Sequence, residues 1–331
     1  MNQIWTEKFR PASLSEIVGQ DENVDKLKGF VKRKDIPHLI FSGSAGTGKT
    51  SAAIALAIEL FGENWKENFL ELNASNNRGI NVIRGHEDRE GKDTGMVSVK
   101  DYARLKPSNP LGFKIIFLDE ADQLTGDAQA ALRRTMEVYS SSTRFILSCN
   151  YSSQIIPPIQ SRCVLMRFRS LDDNAIRTRI SVIAAKENIK LSDAVIEAII
   201  DVAEGDMRRA INVLQTVAST GDFTEKKVFE MFGYSSRDEF ASLISTALEH
   251  GLFDEAREKL DEMMIKTGVS GLDLIKGMHS VVRRHRMAGK EKLEVIMALA
   301  DAEFRIVEGG SDKIQLDALL ARLVKIGSEF S

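Results

Sequence analysis

The sequence predicts an α/β domain, in which a parallel β-sheet is covered by helices on both faces, followed by all-helical regions. Three observations lead to this fold class. Short β-rich runs alternate with helical segments in the first half of the chain. Those runs are almost continuously apolar, as is typical of strands in a parallel sheet that is buried on both faces. Strand-like runs stop after Ser170, and helical periodicity continues to the C terminus.

Five apolar runs predict the strands of this sheet. They span residues 39–41, 69–72, 115–118, 145–147 and 164–166. Each run is short, and helical segments lie between the runs. This alternation predicts β-α-β connections and therefore parallel strand pairing.

The region after Ser170 predicts two groups of helices. Ile176, Ile180 and Ile183 share one face of the first helix. The first group comprises 172–188, a helix that begins at Ser192 or Asp193 and ends before Gly205, and 207–216. The second group comprises 240–250, 253–267, 272–287, 293–308 and 314–327. The broad apolar faces of the second group favour packing against other subunits.

The composition, net charge and cysteine content limit the functions that the sequence allows. Of the 331 residues, 43% are hydrophobic and 28% are charged, and the net charge is -3, so any nucleic-acid surface must be a local basic patch. No run approaches the ~18 apolar residues that a membrane span needs, which predicts a soluble protein with no membrane role. Cys149 and Cys163 lie in apolar runs without zinc-ligand spacing. We expect a buried pair of reduced thiols in a cytoplasmic protein.

A phosphate-binding loop is the most specific motif. Residues 43–50 read GSAGTGKT and match G-x-x-x-x-G-K-[ST], between a predicted strand at 38–42 and a predicted helix at 50–61. Loop N–H groups and the helix N terminus can bind phosphates, Lys49 can neutralise their charge, and Thr50 can bind Mg²⁺. The motif predicts ATP and Mg²⁺ as ligands, the alternative being a chance glycine-rich turn. The predicted phosphate-binding residues are Gly43, Ser44, Ala45, Gly46, Thr47, Gly48, Lys49, Thr50 and Ser51.

Two carboxylates follow a later strand. Asp119 and Glu120 come directly after the apolar run 115–118. Asp119 can hold the Mg²⁺ shell, and Glu120 can act as a general base on the attacking water. The alternative is a strand followed by an acidic helix cap. The phosphate loop upstream favours ATP hydrolysis.

Three further residues fit the same chemistry, although each is compatible with a structural role. Asn150 ends the predicted strand 144–149 and can position water or contact the γ-phosphate, but asparagine is also a common turn residue. Arg162 could act as an arginine finger on a neighbouring subunit or form a surface salt bridge. Arg208, at a helix start, could reach the γ-phosphate or be an ordinary surface arginine.

In this order, the phosphate loop, the carboxylate pair, Asn150, Arg162 and Arg208 resemble the AAA+ ATPases. The segments around them resemble a narrower family, the small subunits of the archaeal replication factor C clamp loader. Those segments are WTEKFRP at 5–11, IVGQ at 17–20, ELNAS at 71–75, DEAD at 119–122 and SRC at 161–163. The resemblance extends over essentially the whole chain.

This resemblance implies three domains and a ring. It implies an ATP-binding base at 1–169, a helical lid at 170–233 and a helical collar at 234–331. Collars of large and small subunits would join five chains into a ring. The ring would open the PCNA sliding clamp and load it onto primer–template DNA without sequence preference. Hydrolysis of ATP to ADP and phosphate would be stimulated by DNA and clamp.

The resemblance also implies roles for the polar residues of the ATP site. Asn150 would be sensor 1, Arg162 would act on the neighbour's ATP, and Arg208 would be sensor 2. The residues bordering the adenine would be Arg10, Pro11, Ile17 and Val18.

The DNA-facing residues also follow from the resemblance. Arg78 and Arg84 lie on a predicted helix at 78–84, for which a solvated amphipathic helix is the alternative. The matching positions on the predicted helix 127–139 are Arg133 and Arg134, which with Glu137 would relay between DNA, ATP and clamp. The segment 85–95 looks inserted, and we expect it to be a surface excursion, the alternative being a contact with DNA or a partner subunit.

Three functional hypotheses remain open from the sequence. The first is an ATP-hydrolysing clamp-loader subunit. The second is a regulatory ATP-binding subunit of a mixed ring. The third is a different AAA+ DNA motor, such as a Holliday-junction helicase motor.

Overall fold

The protein is described by a computed structural model that covers residues 4–75, 83, 98–231, 237–284, 287 and 289–330. The chain forms two compact units. The first comprises Met1–Lys190 with Ala203–Leu214, and the second comprises Leu191–Val202 with Gln215–Ser331. The domain boundaries after residues 169 and 233 stay a prediction.

Five parallel strands form the sheet of the first unit. They are β1 (His38–Ser42), β2 (Phe69–Asn73), β3 (Lys114–Asp119), β4 (Thr143–Cys149) and β5 (Cys163–Arg167), in the order β2-β3-β4-β1-β5. The predicted parallel sheet is therefore confirmed. Alternate residues of each strand enter opposite cores: Phe41 and Phe117 pack on one face, and Phe145 packs on the other. Burying each such ring stabilises the fold by about 1.5–3 kcal/mol.

The strand register defines two edges of the sheet. At the carboxyl edge, Ser42 lies beside Cys149, and Asn73 lies beside Asp119. At the amino edge, His38 lies beside Cys163, and Lys114 lies beside Thr143. Ligands of parallel sheets bind at the carboxyl edge, where the loops leave the strands.

Helices pack on both faces of this sheet. The helices up to residue 190 are α1 (Trp5–Lys8), α2 (Asp21–Arg33), α3 (Lys49–Phe61), α4 (Val99–Arg104), α5 (Gly126–Val138), α6 (Pro157–Gln160) and α7 (Asp173–Lys186). Helix α3 packs on the face of Phe41, and α5 packs on the face of Phe145. Short 3₁₀ turns occur at Leu14–Glu16, Gly62–Asn68, Ala121–Gln123 and Ser152–Gln154. Helix α3 begins directly after Gly48, and its buried, alanine-rich middle packs in the core of the first unit.

The next three helices are α8 (Asp193–Ala203), α9 (Met207–Thr220) and α10 (Glu225–Met231). Ser192 caps α8, because its Oγ accepts a 3.4 Å hydrogen bond from Val195 N. Helix α9 continues four residues beyond its predicted end at 216, and the sequence analysis did not predict α10.

Five helices with a common core form most of the second unit. They are α11 (Arg237–Leu248), α12 (Phe253–Thr267), α13 (Gly271–Arg284), α14 (Gly289–Val307) and α15 (Asp312–Phe330). Leu243, Leu274, Met278 and Leu316 are fully buried among them. All five helices were predicted, with ends that differ by a few residues. Within the described ranges, no helix is long and apolar enough to cross a membrane.

Candidate nucleotide site at the carboxyl edge

The phosphate loop connects β1 to α3 at the carboxyl edge. Gly43 N donates to Cys149 O at 3.2 Å, which ties the start of the loop to the end of β4. Gly46 and Gly48 have φ angles of +68° and +95°, which L residues with a side chain rarely adopt. These turns bring the loop to the first turn of α3, where main-chain N–H groups lack helical partners. The loop therefore has the backbone form of an anion cradle.

Lys49 is held inside this loop. It is 9% exposed, and its Nζ donates 2.7 Å hydrogen bonds to Gly43 O and Ser44 O. Burial lowers its pKa, while the carboxylates of Asp119 and Asp122 raise it. An ammonium has three N–H donors, so a third remains for an anion in the loop.

Thr50 and Asp119 place two oxygen ligands together. Thr50 Oγ1 donates to Asp119 Oδ2 at 3.0 Å, and Asp119 Oδ1 accepts from Glu120 N at 3.0 Å. Mg²⁺ prefers oxygen ligands and is commonly held by one or two protein groups together with nucleotide phosphates. Among the described residues, no group of three or more His, Cys, Asp or Glu side chains is placed to hold a metal. The hydroxyl–carboxylate pair thus fits a magnesium ion that is shared with a nucleotide.

Glu120 follows Asp119 in a rare backbone conformation. Its φ of +52° is uncommon for a residue with a side chain, and such strained positions concentrate at functional sites. The residue is half-buried and lines the same cavity as Lys49 and Thr50. Glu120 therefore belongs to the lining of the phosphate-loop cavity without being fully buried.

Asn150 reaches this cavity from the end of β4. Asp122 Oδ2 accepts hydrogen bonds from Asn150 N at 3.0 Å and from Tyr151 N at 3.4 Å. Asp122 therefore fixes the turn that presents Asn150. Asp122 is the last residue of the DEAD segment at 119–122, and no role was predicted for it from the sequence.

The N-terminal segment and α9 complete the lining of the cavity. Most of the predicted nucleotide-binding residues line it. They are Arg10, Pro11, Ile17, Val18, Ala45, Gly46, Thr47, Gly48, Lys49, Thr50, Ser51, Asp119, Glu120, Asn150 and Arg208. Gly43 and Ser44 are not among the lining residues, but their carbonyl groups hold Lys49.

Arg179 is a cavity residue that the sequence analysis missed. It is 7% exposed, and its Nη2 donates to Phe9 O at 2.5 Å. Its Nη1 lies 3.5 Å from Glu16 Oε2. Arg179 therefore ties the N-terminal segment to α7. The available signal was an arginine next to Ile180, on the apolar face of a predicted helix.

Asp206 fixes the start of α9 against the phosphate loop. Met207 N donates to Gly46 O at 3.1 Å, and Asp206 Oδ1 accepts from Arg209 N at 3.0 Å. A Cβ atom on Gly46 would lie 1.6 Å from Asp206 Oδ1. The contact explains why Gly46 lacks a side chain, and it places Arg208 at the cavity. No role for Asp206 was predicted from the sequence.

Arg162 lies away from this cavity, at the amino edge. Its Nη2 is 2.7 Å from Glu137 Oε1, and its Nη1 donates to Pro158 O at 2.7 Å. A second cavity lies beside it, lined by Arg33, Asp35, Ile36, Pro37, His38, Ser140, Arg144 and Arg162. The structure thus separates Arg162 from the other predicted ATP-site residues of its own chain.

The predicted DNA-facing residues are only partly described. Arg133 and Arg134 lie on α5, where Arg134 is exposed and Arg133 Nε is 3.8 Å from Glu137 Oε1. Arg78, Arg84 and the segment 85–95 lie outside the described residues.

The two cysteines are free thiols. Burial raises the pKa of Cys149 to about 11 and that of Cys163 to about 12, so both are protonated at neutral pH. Cys149 is buried as predicted, but Cys163 is only half-buried because it begins the edge strand β5.

Three protein-family models match successive parts of the chain. The model of the DNA polymerase III delta subunit matches residues 19–172. The model of the RFC1-like AAA+ ATPase lid domain matches residues 173–225. The model of the replication factor C C-terminal domain matches residues 236–322.

Whole-length relatives carry one common description, replication factor C small subunit. The protein of that description from Thermoplasma volcanium is 59% identical over the full length of both chains. The one from Picrophilus torridus is 56% identical, again over both full chains. The one from Archaeoglobus fulgidus is 48% identical over 97% of each chain.

Solved structures of Thermotoga maritima RuvB share the fold. The structure described as the RuvB Holliday junction branch migration motor has a TM-score of 0.53 and 16% identity, covering 78% of this chain and 88% of RuvB. A RuvB point mutant gives a TM-score of 0.54 at 17% identity, covering 78% and 89% of the two chains. At such identities the likeness concerns the fold alone.

Proposed function

The chain belongs to the family of replication factor C small subunits, which are AAA+ clamp-loader ATPases, and on that premise we propose how its residues bind and hydrolyse ATP. The protein binds ATP with Mg²⁺ at the carboxyl edge and hydrolyses ATP within a multi-subunit ring. The observation that carries this proposal is the convergence of Lys49, Thr50 and Asp119 at the N terminus of α3. The ring opens the PCNA clamp and loads it onto primer–template DNA, as the family name implies.

The phosphate loop binds the triphosphate in this proposal. Main-chain N–H groups of residues 43–51 cradle the phosphate oxygens, and Lys49 neutralises their charge. Thr50 and Asp119 hold the Mg²⁺, which stabilises negative charge on the phosphates when it is bound. The adenine is bordered by four further residues of the same cavity lining, Arg10, Pro11, Ile17 and Val18.

Glu120 is the proposed general base. Glu120 follows Asp119 directly in the lining of the cavity, and its carboxylate would accept a proton from the attacking water. Asn150 positions that water or contacts the γ-phosphate. Arg208 contributes a positive charge from the start of α9.

Arg162 acts on the ATP of a neighbouring subunit. Its Cα precedes β5 at the amino edge, whereas the phosphate loop leaves β1 at the carboxyl edge. The five residues of β1 separate these edges by about 13 Å at ~3.3 Å per residue. Its contacts with Glu137 and Pro158 also hold its guanidinium at the amino edge. These positions support action in trans, with each complete site shared by two chains.

An exposed apolar stripe on α14 supports assembly through the second unit. Leu293, Met297, Phe304 and Val307 are 56–66% exposed. Their spacing of 4, 7 and 3 residues places them on one face of the helix. A monomer would leave this stripe in water, so we assign it to contacts between subunits of the proposed pentameric ring of large and small subunits.

The remaining parts of the proposal concern DNA, domains and location. Arg78, Arg84, Arg133 and Arg134 contact DNA phosphates, and DNA and clamp stimulate hydrolysis. The base, lid and collar correspond to residues 1–169, 170–233 and 234–331. Two free cysteines support a reducing cytoplasm as the working compartment.

The experiment tests whether two variants with impaired hydrolysis restore ATP hydrolysis when they are mixed in one assembled complex. Arg162→Ala should lower hydrolysis about 10³-fold, as expected for loss of an arginine finger. Glu120→Gln should lower it about 10²- to 10⁴-fold, as expected for loss of a general base. Rings assembled from a mixture of both variants should regain activity, because some interfaces combine an intact Glu120 with an intact Arg162.

The outcomes separate the open alternatives. Hydrolysis and clamp loading that are indifferent to Glu120→Gln would favour a regulatory ATP-binding subunit. No recovery in mixed rings, with assembly intact, would mean that Arg162 acts on the ATP bound by its own chain, which contradicts action in trans.

A further inference from the structure

Outside the nucleotide cavity, an ion pair joins the side chain of Arg162 to α5. Glu137 Oε1 lies 2.7 Å from Arg162 Nη2, which is the length of a charge-assisted hydrogen bond. Both side chains are about 40% exposed. Pro158 O accepts from Arg162 Nη1 at 2.7 Å, and Ser161 Oγ lies 3.4 Å from the same atom. Residues of two helices, α5 and α6, therefore both contact the guanidinium of Arg162.

Glu137 occupies a helix position that is unfavourable for an acid. It is the penultimate residue of α5, where the helix dipole presents its negative end. Two arginines offset this cost, because Arg133 Nε lies 3.8 Å from the same Oε1 that contacts Arg162. Both basic partners of the Glu137 carboxylate thus lie at the same oxygen, Oε1, and one of them is the proposed arginine finger, Arg162.

The guanidinium of Arg162 retains N–H donors that could bind a ligand. Arginine has five N–H donors, and the contacts with Glu137, Pro158 and Ser161 engage three of them. The other two have no partner among the described residues. Fixing the plane of the guanidinium removes much of the rotational freedom of a long side chain before it meets a phosphate.

We propose that Glu137 is a positioning residue for the arginine finger, which it holds in a defined orientation through Arg162 Nη2. This inference rests on the proposed role of Arg162 in hydrolysis by a neighbouring subunit. Glu137 itself touches neither ATP nor the attacking water. It acts by keeping the free N–H donors of Arg162 directed away from α5, so that less ordering is needed when subunits meet.

A double-mutant cycle in the assembled full-length complex tests this role. Glu137→Ala should lower kcat about 5-fold, the upper range for an exposed ion pair, and leave KM for ATP unchanged. Glu137→Gln should retain most of kcat, because its amide oxygen can still accept from Nη2. The double variant Glu137→Ala/Arg162→Ala should match Arg162→Ala alone, because Glu137 has nothing left to orient.

Glu329→Ala provides the matched control. Glu329 is also the penultimate residue of its helix, α15, and also pairs with a basic residue four positions earlier, with Lys325 Nζ at 3.8 Å. The Glu329→Ala substitution should leave kcat unchanged. Native mass spectrometry and thermal unfolding check that every variant assembles and folds, and Glu137→Gln keeps the test valid if the alanine variant fails either check.

The failures of the two proposals are distinguishable. Unchanged hydrolysis in Arg162→Ala would overturn the finger and the positioning role together. A normal loss in Arg162→Ala, with an additional 5-fold loss in the double variant, would overturn the role of Glu137 alone. Equal losses in Glu137→Ala and Glu137→Gln, or a change in KM rather than kcat, would do the same.

Discussion

Two buried lysines at opposite edges of the sheet make the same hydrogen bonds in different surroundings. Lys49, at the carboxyl edge, donates to Gly43 O and Ser44 O, and Lys114, at the amino edge, donates to Tyr102 O and Leu105 O. They are 9% and 2% exposed, and burial lowers the pKa of both. Burial and bonding alone therefore do not distinguish a binding lysine from a structural one.

The difference lies in neighbouring charge and access. Burial lowers the pKa of Lys49, which lines an open cavity, and the carboxylates of Asp119 and Asp122 oppose that lowering. For Lys114 burial is the only cause, and it lowers the pKa to about 8. Lys114 Nζ also lies 4.4 Å from the centroid of the Tyr102 ring, so two carbonyl groups and an aromatic ring contact its ammonium group. The carboxyl edge thus keeps a spare donor for a ligand, whereas the amino edge saturates its lysine internally.

The largest predicted effect separates the two lysines by ligand affinity. Lys49→Met should weaken Mg·ATP binding about 100-fold, because it removes a charge-assisted hydrogen bond to phosphate. Lys114→Met is the matched control, and its affinity should stay within about 2-fold. Calorimetric titration of the full-length chain measures both. Similar losses in the two variants would show that the edges do not differ as described.

Two glycines, one at each edge of the sheet, allow the stability effects of added side chains at the two edges to be compared. Gly46, in the phosphate loop, has φ +68°, and its Cβ would lie 1.6 Å from Asp206 Oδ1. Gly112, two residues before β3, has φ +73° and nothing within 4 Å of its Cβ position. Gly46→Ala should lower the free energy of unfolding by about 2–3 kcal/mol, through backbone strain and overpacking. Gly112→Ala should cost about 1 kcal/mol, from backbone strain alone.

Chemical denaturation measures the two glycine variants. Gly46→Ala should also weaken ATP binding, because the displaced Asp206 can no longer hold the start of α9 against the loop. Equal destabilisation by the two substitutions would mean that the contact with Asp206 adds nothing to the rigidity of the carboxyl edge.

A further prediction concerns the pH dependence of stability at the amino edge. The pKa of Lys114 falls from 10.5 to about 8 on folding. Between these pH values the unfolded chain binds a proton on this lysine that the folded chain has lost, so stability rises with pH. The free energy of unfolding of the unmodified protein should gain ~2 kcal/mol relative to Lys114→Met from pH 8 to 10.5. Denaturation curves that stay parallel across this window would contradict the lowered pKa.

Local patterns were sufficient for most of the fold. Continuous apolar runs located all five strands, and helical periodicity located the five helices of the second unit. The missed helix α10 has only seven residues, too few to show a repeated apolar face. The predicted helix ends differ by a few residues, because capping depends on individual side-chain contacts such as that between Ser192 and Val195.

The candidate site was predictable where its residues follow strand ends. The loop at 43–50, Asp119, Glu120 and Asn150 all leave the carboxyl edge of a parallel sheet, so their convergence follows from strand order and direction. Arg179 was missed because its partners, Phe9 and Glu16, are more than 160 residues away in the sequence. The hydrophobic periodicity of one helix does not indicate which distant segment a residue of that helix contacts.

The sequence by itself determined the fold class, the phosphate loop and the residue types needed for ATP chemistry, because these depend on short-range periodicity and backbone freedom. Only the tertiary structure decided which charged groups meet. It placed Asp206 against Gly46, and Arg162 against Glu137 at the edge opposite the phosphate loop. The physical reason is that these contacts depend on the packing of α5 and α9 against distant segments, which local sequence patterns do not specify.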